Sequence, residues 1–285
     1  MKIGTATIFK NHFFIKIVAV PIFIFLVFPS LPVEAKKRSK KRSVSCKSVI
    51  FSNSTKVKRL YGKGVHNRVL PASTTKVMTA LLVLEKLPLD KYITVGKRPT
   101  YAQPTKIYVK PGEQYKVRDL LYAILLKSAN DASIVLAEAV AGSEANFIKL
   151  MNKRAKQIGA KHTKFANSNG LPNKHVSQYT TAYDMYLIFR QALKHSFFKK
   201  AIKYKHLTIK SKTGRKIALK SHNKILFKGW GRKIYGKTGY TRAAKACFIG
   251  TLEKGRDTLI VGVFGCTNRW GDIKHVVSRY GKIPL

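Results

Sequence analysis

The chain has 285 residues, is 45% hydrophobic, and carries 56 lysines and arginines against 12 acidic residues, a net charge of +44. It is long and apolar enough to bury a sizeable core, and its charge attracts polyanions of almost any kind. The basic residues are spread from Lys36 to Lys282, no nucleic-acid motif is recognisable, and the eight histidines are scattered with no HExxH. Nucleic acid is therefore not expected as a partner, and neither a metal nor a cofactor is expected. A basic polyanion-binding protein is the reading from a different class.

Lys2, Lys10 and Lys16 precede the apolar segment 17–28, and Val33-Glu34-Ala35 supplies a small-residue cleavage site. Residues 1–35 read as a secretory signal. An uncleaved anchor is the alternative, because residues 13–28 fall a little short of the ~18–20 that a span needs. No cysteine directly follows the apolar run, which argues against a lipoprotein. Residues 36–47 form a basic tail, and residues 48–285 read as one domain. Without residues 1–35 the chain keeps 53 basic and 11 acidic residues, a net charge of +42.

Residues 48–51 and 57–61 read as a first hairpin. Pro71-Ala72 delivers the chain into a helix over 73–86, and Ser73-Thr74-Thr75-Lys76 opens it. Residues three apart on a helix share a face, about 5–6 Å between Cβ atoms, so the Lys76 amine can reach the Ser73 hydroxyl. The first turn offers unpaired N–H groups to developing negative charge. The run from Val77 to Leu84 reads as buried, and burial beside a second cation lowers a lysine pKa. A neutral amine can take a proton.

From about 87 to 192 the signals are helical: 120–127, 132–141, 144–158 with Gly159 as a stop, and 182–193. Ser128-Ala129-Asn130 follows the first of these. Strand signals dominate from 204 to 264, and Lys237-Thr238-Gly239 precedes the apolar strand run 246–250. A helix over 271–280 closes the chain. Helices between early and late strands imply a mixed α/β fold, with a helical lobe and a cleft between lobe and sheet.

SxxK alone carries little weight, since Ser196 to Lys199 and Ser221 to Lys224 repeat it. Only Ser73 opens a long apolar helix. Lys212-Thr213-Gly214 falls between two strand runs and reads as a hairpin closure. Ser221-His222-Asn223 lies too close to Lys237 to form an independent wall of a site. With the late strands paired around Gly255, Cys247 falls opposite Val263 and out of reach of Cys266, so no required disulfide is expected.

The ordered set SxxK, SxN, KTG resembles the serine penicillin-recognising enzymes. More narrowly, it resembles the D-alanyl-D-alanine carboxypeptidases among the low-molecular-mass penicillin-binding proteins. Residues 71–80, 128–132, 169–172 and 236–241 carry the resemblance. It implies the β-lactamase/transpeptidase-like fold, a five-stranded antiparallel sheet flanked by helices with an inserted all-helical lobe. It also implies the site: Ser73 as nucleophile, Lys76 as general base, Ser128 as proton relay polarised by Lys237, and Asn130 on the substrate backbone. Gly239 falls in the substrate-binding strand, the N–H groups of Ser73 and Tyr240 hold the oxyanion, and Thr238 and Arg269 take the terminal carboxylate.

The expected substrates are peptidoglycan stem peptides, with β-lactams as covalent inhibitors. Endopeptidase action on the same site is an alternative. A class A-like β-lactamase is a second, disfavoured because only Asp184 lies between Glu144 and Glu253 and no glutamate is available to activate water. The further all-β domain and membrane helix of many relatives are not expected within these 285 residues. The protein is expected in the periplasm or cell envelope, its charge holding it near anionic wall polymers or lipid headgroups. Such binding weakens as salt rises.

Overall fold

The computed structural model describes residues 43–173 and 175–285. The signal or anchor segment, and the basic tail up to Arg42, lie outside the described residues. In chain order the elements are β1 (Ser48–Asn53), β2 (Lys58–Lys63), α1 (Lys76–Lys86), β3 (Tyr92–Thr94), β4 (Gln114–Lys116), α2 (Val117–Tyr122), α3 (Asn130–Ala141) and α4 (Glu144–Ile158). Then follow α5 (Ala182–Ala192), α6 (Ser196–Ala201), β5 (His206–Lys210), β6 (Lys216–Lys220), β7 (Tyr235–Thr241), β8 (Lys245–Lys254), β9 (Asp257–Cys266) and α7 (Arg269–Gly281). Among the described residues no helix is long and apolar enough to cross a membrane.

One antiparallel sheet runs in the order β2-β1-β9-β8-β7. Both of its faces are covered, and side-chain alternation sorts residues between two cores. Ile50, Ile249, Ile260 and Phe264 point into the core shared with α1, α3 and α5. Their neighbours Val49, Phe51, Phe248, Leu259, Val261 and Val263 pack with Ile273, Val276 and Val277 of α7. β7 is an edge strand, and it packs against the 3-10 turn Ala72–Thr75 that opens α1.

Four expectations need correction or refinement. The lobe between 87 and 192 also holds the hairpin β3-β4, three residues per strand, too short to leave an alternating pattern. The folded body begins before Ser48, because Val44 and Cys46 are buried in the core beneath α7, within the segment assigned to the tail. β8 carries a bulge between Ala246 and Phe248, so Phe248 rather than Cys247 pairs with Val263. And a disulfide is present: Cys46, just ahead of β1, bonds Cys266 at the end of β9, leaving Cys247 free and buried. The β1-β9 pairing brings these cysteines together across 220 residues of sequence.

Candidate active site

Ser73 lies in the 3-10 turn, and Lys76 begins α1. The Lys76 side chain is wholly buried. Its Nζ lies 3.1 Å from Ser73 Oγ, 2.7 Å from Asn130 Oδ1 and 2.8 Å from the Asn169 main-chain oxygen. Two carbonyl oxygens absorb the two N–H bonds of a neutral amine and leave its lone pair for the Ser73 hydroxyl. The electrostatics favour that form. Burial, then the nearby Lys237 ammonium, holds the Lys76 amine well below the usual lysine range, with Asp131 opposing weakly.

The second wall comes from an irregular helix end. Past Tyr122, α2 widens into a π-turn over Ala123–Lys127, and Ser128 follows in the left-handed region at φ 64°. A non-glycine residue held there is the kind of local strain that clusters at functional sites. The turn delivers Ser128 Oγ to Lys237 Nζ at 2.9 Å and starts α3 at Asn130. The Asn130 amide is engaged at both ends, accepting from Lys76 and donating to the Gln103 carbonyl. In this state it positions the Lys76 amine. Asp131 accepts main-chain N–H groups from Ile107, Val109 and Ala132, which pins the loop before β4 against α3.

The third wall is β7. Lys237 is buried, donates to Ser128 Oγ and to the Thr238 carbonyl, and is pushed down to about 7 by burial and by Arg269. Gly239 has no side chain for a reason: a Cβ there would sit 3.1 Å from both Ala72 Cβ and Ser73 N. Thr238 is buried, whereas Tyr240 is exposed. Arg269 Nη1 donates to the main-chain oxygens of Gly239 and Cys247 at 3.0 and 2.6 Å, and its guanidinium stacks on Trp270. It therefore braces the KTG strand through that strand's own main chain and through β8.

A fourth piece, the stretch 169–172 that also carries the resemblance, acts on Lys76 through its backbone. The turn Asn167 to Leu171 presents the Asn169 oxygen to Lys76, and Gly170, at φ +86°, lets it press on the Ser73 turn. A Cβ at Gly170 would fall 1.8 Å from the Ala72 oxygen. Glu144 accepts from Ser168 N–H and Oγ and pairs with Arg98. Asp184 is held by His162 N–H and Thr163 Oγ1.

Ser73, Lys76 and Asn130 thus form one hydrogen-bonded set and Ser128 and Lys237 a second, and the sets are tied by the short Ser128-Ala129-Asn130 segment and by the Lys237 charge, which acts on Lys76. Lys212-Thr213-Gly214 closes the β5-β6 hairpin, as expected. Ser221-His222-Asn223 forms no separate SxN wall: Ser128 and Asn130 are the residues bonded to Lys237 and Lys76, and His222 N–H donates to the Leu126 oxygen, so this segment packs beside the turn that carries Ser128.

A mixed sheet domain of this topology, with these groups in the cleft, is the penicillin-binding, DD-peptidase type of protein. Streptomyces K15 DD-transpeptidase superposes with a TM-score of 0.78 at 28% identity, covering 85% of this chain and 99% of that one. A sequence model of the D-alanyl-D-alanine carboxypeptidase family, peptidase S11, matches residues 34–268, and the chain belongs to that family. It is 33% identical over 241 residues to D-alanyl-D-alanine carboxypeptidase DacF of Bacillus subtilis, covering 81% of this chain and 60% of DacF. It is likewise 33% identical over 193 residues to DacB2 of Mycobacterium tuberculosis, covering 68% of this chain and 65% of DacB2. The chain thus spans less than two thirds of these two curated relatives.

Proposed function

We propose that this protein is a serine D-alanyl-D-alanine carboxypeptidase that trims the terminal D-alanine from peptidoglycan stem pentapeptides. The observation that carries the reading is the buried Lys76 amine, 3.1 Å from Ser73 Oγ and depressed by burial and by Lys237.

In the first half-reaction Ser73 Oγ attacks the carbonyl of the penultimate D-alanine while its proton passes to Lys76. The N–H groups of Ser73 and Tyr240 hold the oxyanion. The peptide C–N bond breaks, and Lys76 gives up the Ser73 proton, which reaches the departing amine through Ser128, whose hydroxyl Lys237 keeps polarised. Water then attacks the Ser73 ester, the neutral Lys76 taking its proton and returning it to Ser73 Oγ as the ester C–O bond breaks, and the shortened peptide leaves as its acid. β7 lies at the edge of the sheet, which suits an extended substrate adding along Thr238 to Tyr240. Thr238 and Arg269 take the terminal carboxylate.

Such a protein acts in the cell envelope, where its substrate is. The N-terminal segment supports export, and the charge of +44 supports retention at anionic wall polymers or lipid headgroups. β-Lactams, which mimic the scissile amide, acylate Ser73 in the same way.

Mass spectrometry of a defined pentapeptide muropeptide tests the reaction. We expect loss of one alanine with the wild-type protein and an unchanged substrate with Ser73→Ala. Trimming by the variant at the wild-type rate would refute the assignment of the nucleophile, and an intact pentapeptide with both proteins would refute the activity.

A further inference from the structure

The short segment ahead of β1 clasps the turn that launches Arg269. Ser45 Oγ accepts the main-chain N–H groups of Thr267 and Asn268 at 3.1 and 2.9 Å. It donates to Asp272 Oδ2 at 2.5 Å, and Ser45 N–H donates to the same oxygen at 3.1 Å. One hydroxyl thus uses its donor and both of its acceptor positions. The next residue, Cys46, is bonded to Cys266. Residues 45 and 46 therefore hold the chain on both sides of Arg269, at 266 to 268 before it and at the buried Asp272 one helical turn after it. The segment is itself pinned, since Lys63 Nζ donates to the Val44 oxygen and Lys47 N–H to the Phe264 oxygen.

From this clasp to the substrate strand is one side chain. Arg269 Nη1 donates to the Gly239 oxygen, between Thr238 and Tyr240, and to the Cys247 oxygen. Among the described residues Arg269 is in no ion pair, so its charge is not spent on a carboxylate of the protein. A long, flexible side chain delivers its head group accurately only when its own backbone is fixed and its surroundings are packed. Trp270 supplies the packing, with the guanidinium carbon 4.3 Å from its ring centre. The clasp fixes the backbone.

We propose that Ser45 is a positioning residue for the reaction: through its bonds to Thr267, Asn268 and Asp272 it aims Arg269 at the terminal carboxylate of the substrate. This rests on the carboxypeptidase reading, in which Thr238 and Arg269 take that carboxylate, and adds what holds the arginine in place. Ser45 acts only through Arg269. Without its hydroxyl the turn before α7 relaxes and the guanidinium shifts, and a misplacement of about 1 Å costs up to ~10²-fold where orientation carries the rate. Ser45 is exposed, so the N–H groups it leaves turn to water and Ser45→Ala folds. A clasp that served stability alone would change the amount of folded enzyme and scale every substrate equally.

The test compares two pentapeptides, one with a free C-terminal carboxylate and one amidated there, on wild type, Ser45→Ala, Ser45→Thr and Arg269→Gln. Active enzyme is counted in each by complete labelling with a penicillin. We expect wild-type kcat/KM to favour the free carboxylate by about 30-fold, the scale of a charge-assisted contact, and Arg269→Gln to bring that preference to within about threefold. Ser45→Ala should lower the preference by at least about fivefold through the free-carboxylate peptide, with the amide changed by less than about twofold, and Ser45→Thr should restore it. A preference unchanged in Ser45→Ala, an equal loss on both peptides, or a Ser45→Thr variant no better than Ser45→Ala would overturn the proposal. Equal trimming of both peptides by wild type would overturn it together with the role of Arg269, leaving the carboxypeptidase reading intact. Absence of trimming together with absence of a penicillin adduct on Ser73 would overturn that reading as well.

Discussion

Lys237 Nζ donates to Ser128 Oγ across 2.9 Å, and the same lysine is pushed down to about 7 by burial and by the Arg269 guanidinium. The side chain that holds the Ser128 hydroxyl is thus poised to lose its proton near neutrality.

A bell-shaped pH profile of kcat/KM follows. Lys76 must be neutral to accept a proton, so the rate rises as pH climbs through its lowered pKa. Lys237 must stay charged to polarise Ser128, so the rate falls as pH passes about 7. The two amines repel each other, so both limbs belong to the coupled pair. Removing the positive charge of Arg269 raises the affinity of Lys237 for its proton. Arg269→Gln should therefore move the alkaline limb to higher pH, whereas Arg269→Lys should leave it near its wild-type position. An alkaline limb that stays in place in Arg269→Gln would contradict this.

Stability should follow pH in the opposite sense to the alkaline loss of activity. Lys237 falls from 10.5 to about 7 on folding. Below about 7 it is protonated in both states, and the full cost of burying the ammonium is present, roughly 4–5 kcal/mol at 1.36 kcal/mol per pKa unit. Between about 7 and 10.5 the unfolded chain binds more protons than the native one, so stability rises with pH. Lys76 acts in the same direction. Lys237→Met should be more stable than wild type at pH 6 by on the order of 2 kcal/mol, after losing the hydrogen bonds to Ser128 and Thr238. As pH rises from about 7 to 10.5 the burial cost is lifted, so the gap should close and then reverse, with wild type the more stable protein at pH 10.5. Thermal melts of the two proteins across this range measure it; a variant less stable at pH 6 would contradict the burial cost.

The Cys46–Cys266 bond closes a loop spanning nearly the whole described chain. Crosslinks of that span stabilise by about 2–5 kcal/mol, chiefly by restricting the unfolded ensemble. In denaturant we expect one alkylatable thiol, Cys247, before reduction and three after it. The double variant Cys46→Ala, Cys266→Ala should melt earlier than wild type. Three reactive thiols without reductant would show that the pair is not bonded.

Much of the fold and site was legible because it is local or repeated. The apolar run after Lys76 marks a buried helix, Gly159 stops α4 in the left-handed region, and Thr-Gly closes the β5-β6 hairpin. Ser73 and Lys76 lie one helical turn apart, and SxN and KTG could be ordered against them. What was not legible is long-range or made of backbone. Cys46 meets Cys266 only because β1 pairs with β9, and no local pattern states that pairing. The bulge in β8 shifts its partners by one residue and moves Cys247 out of the predicted register. The Asn169 acceptor is a carbonyl oxygen, which every residue has. The return of the chain at His222 to bond the Leu126 oxygen, beside the turn that carries Ser128, is likewise a long-range contact with no local signal.

The central claim, that Ser73 is the nucleophile and Lys76 its base, is tested most directly by incubating the protein with a penicillin and mapping the adduct by mass spectrometry. We expect one adduct, on Ser73, persisting for hours because Glu144 and Asp184 are both held elsewhere and neither can activate a deacylating water. Lys76→Ala should acylate at least 100-fold more slowly, roughly the scale of a lost general base. An adduct on any other residue, or Lys76→Ala labelling at the wild-type rate, would contradict the claim.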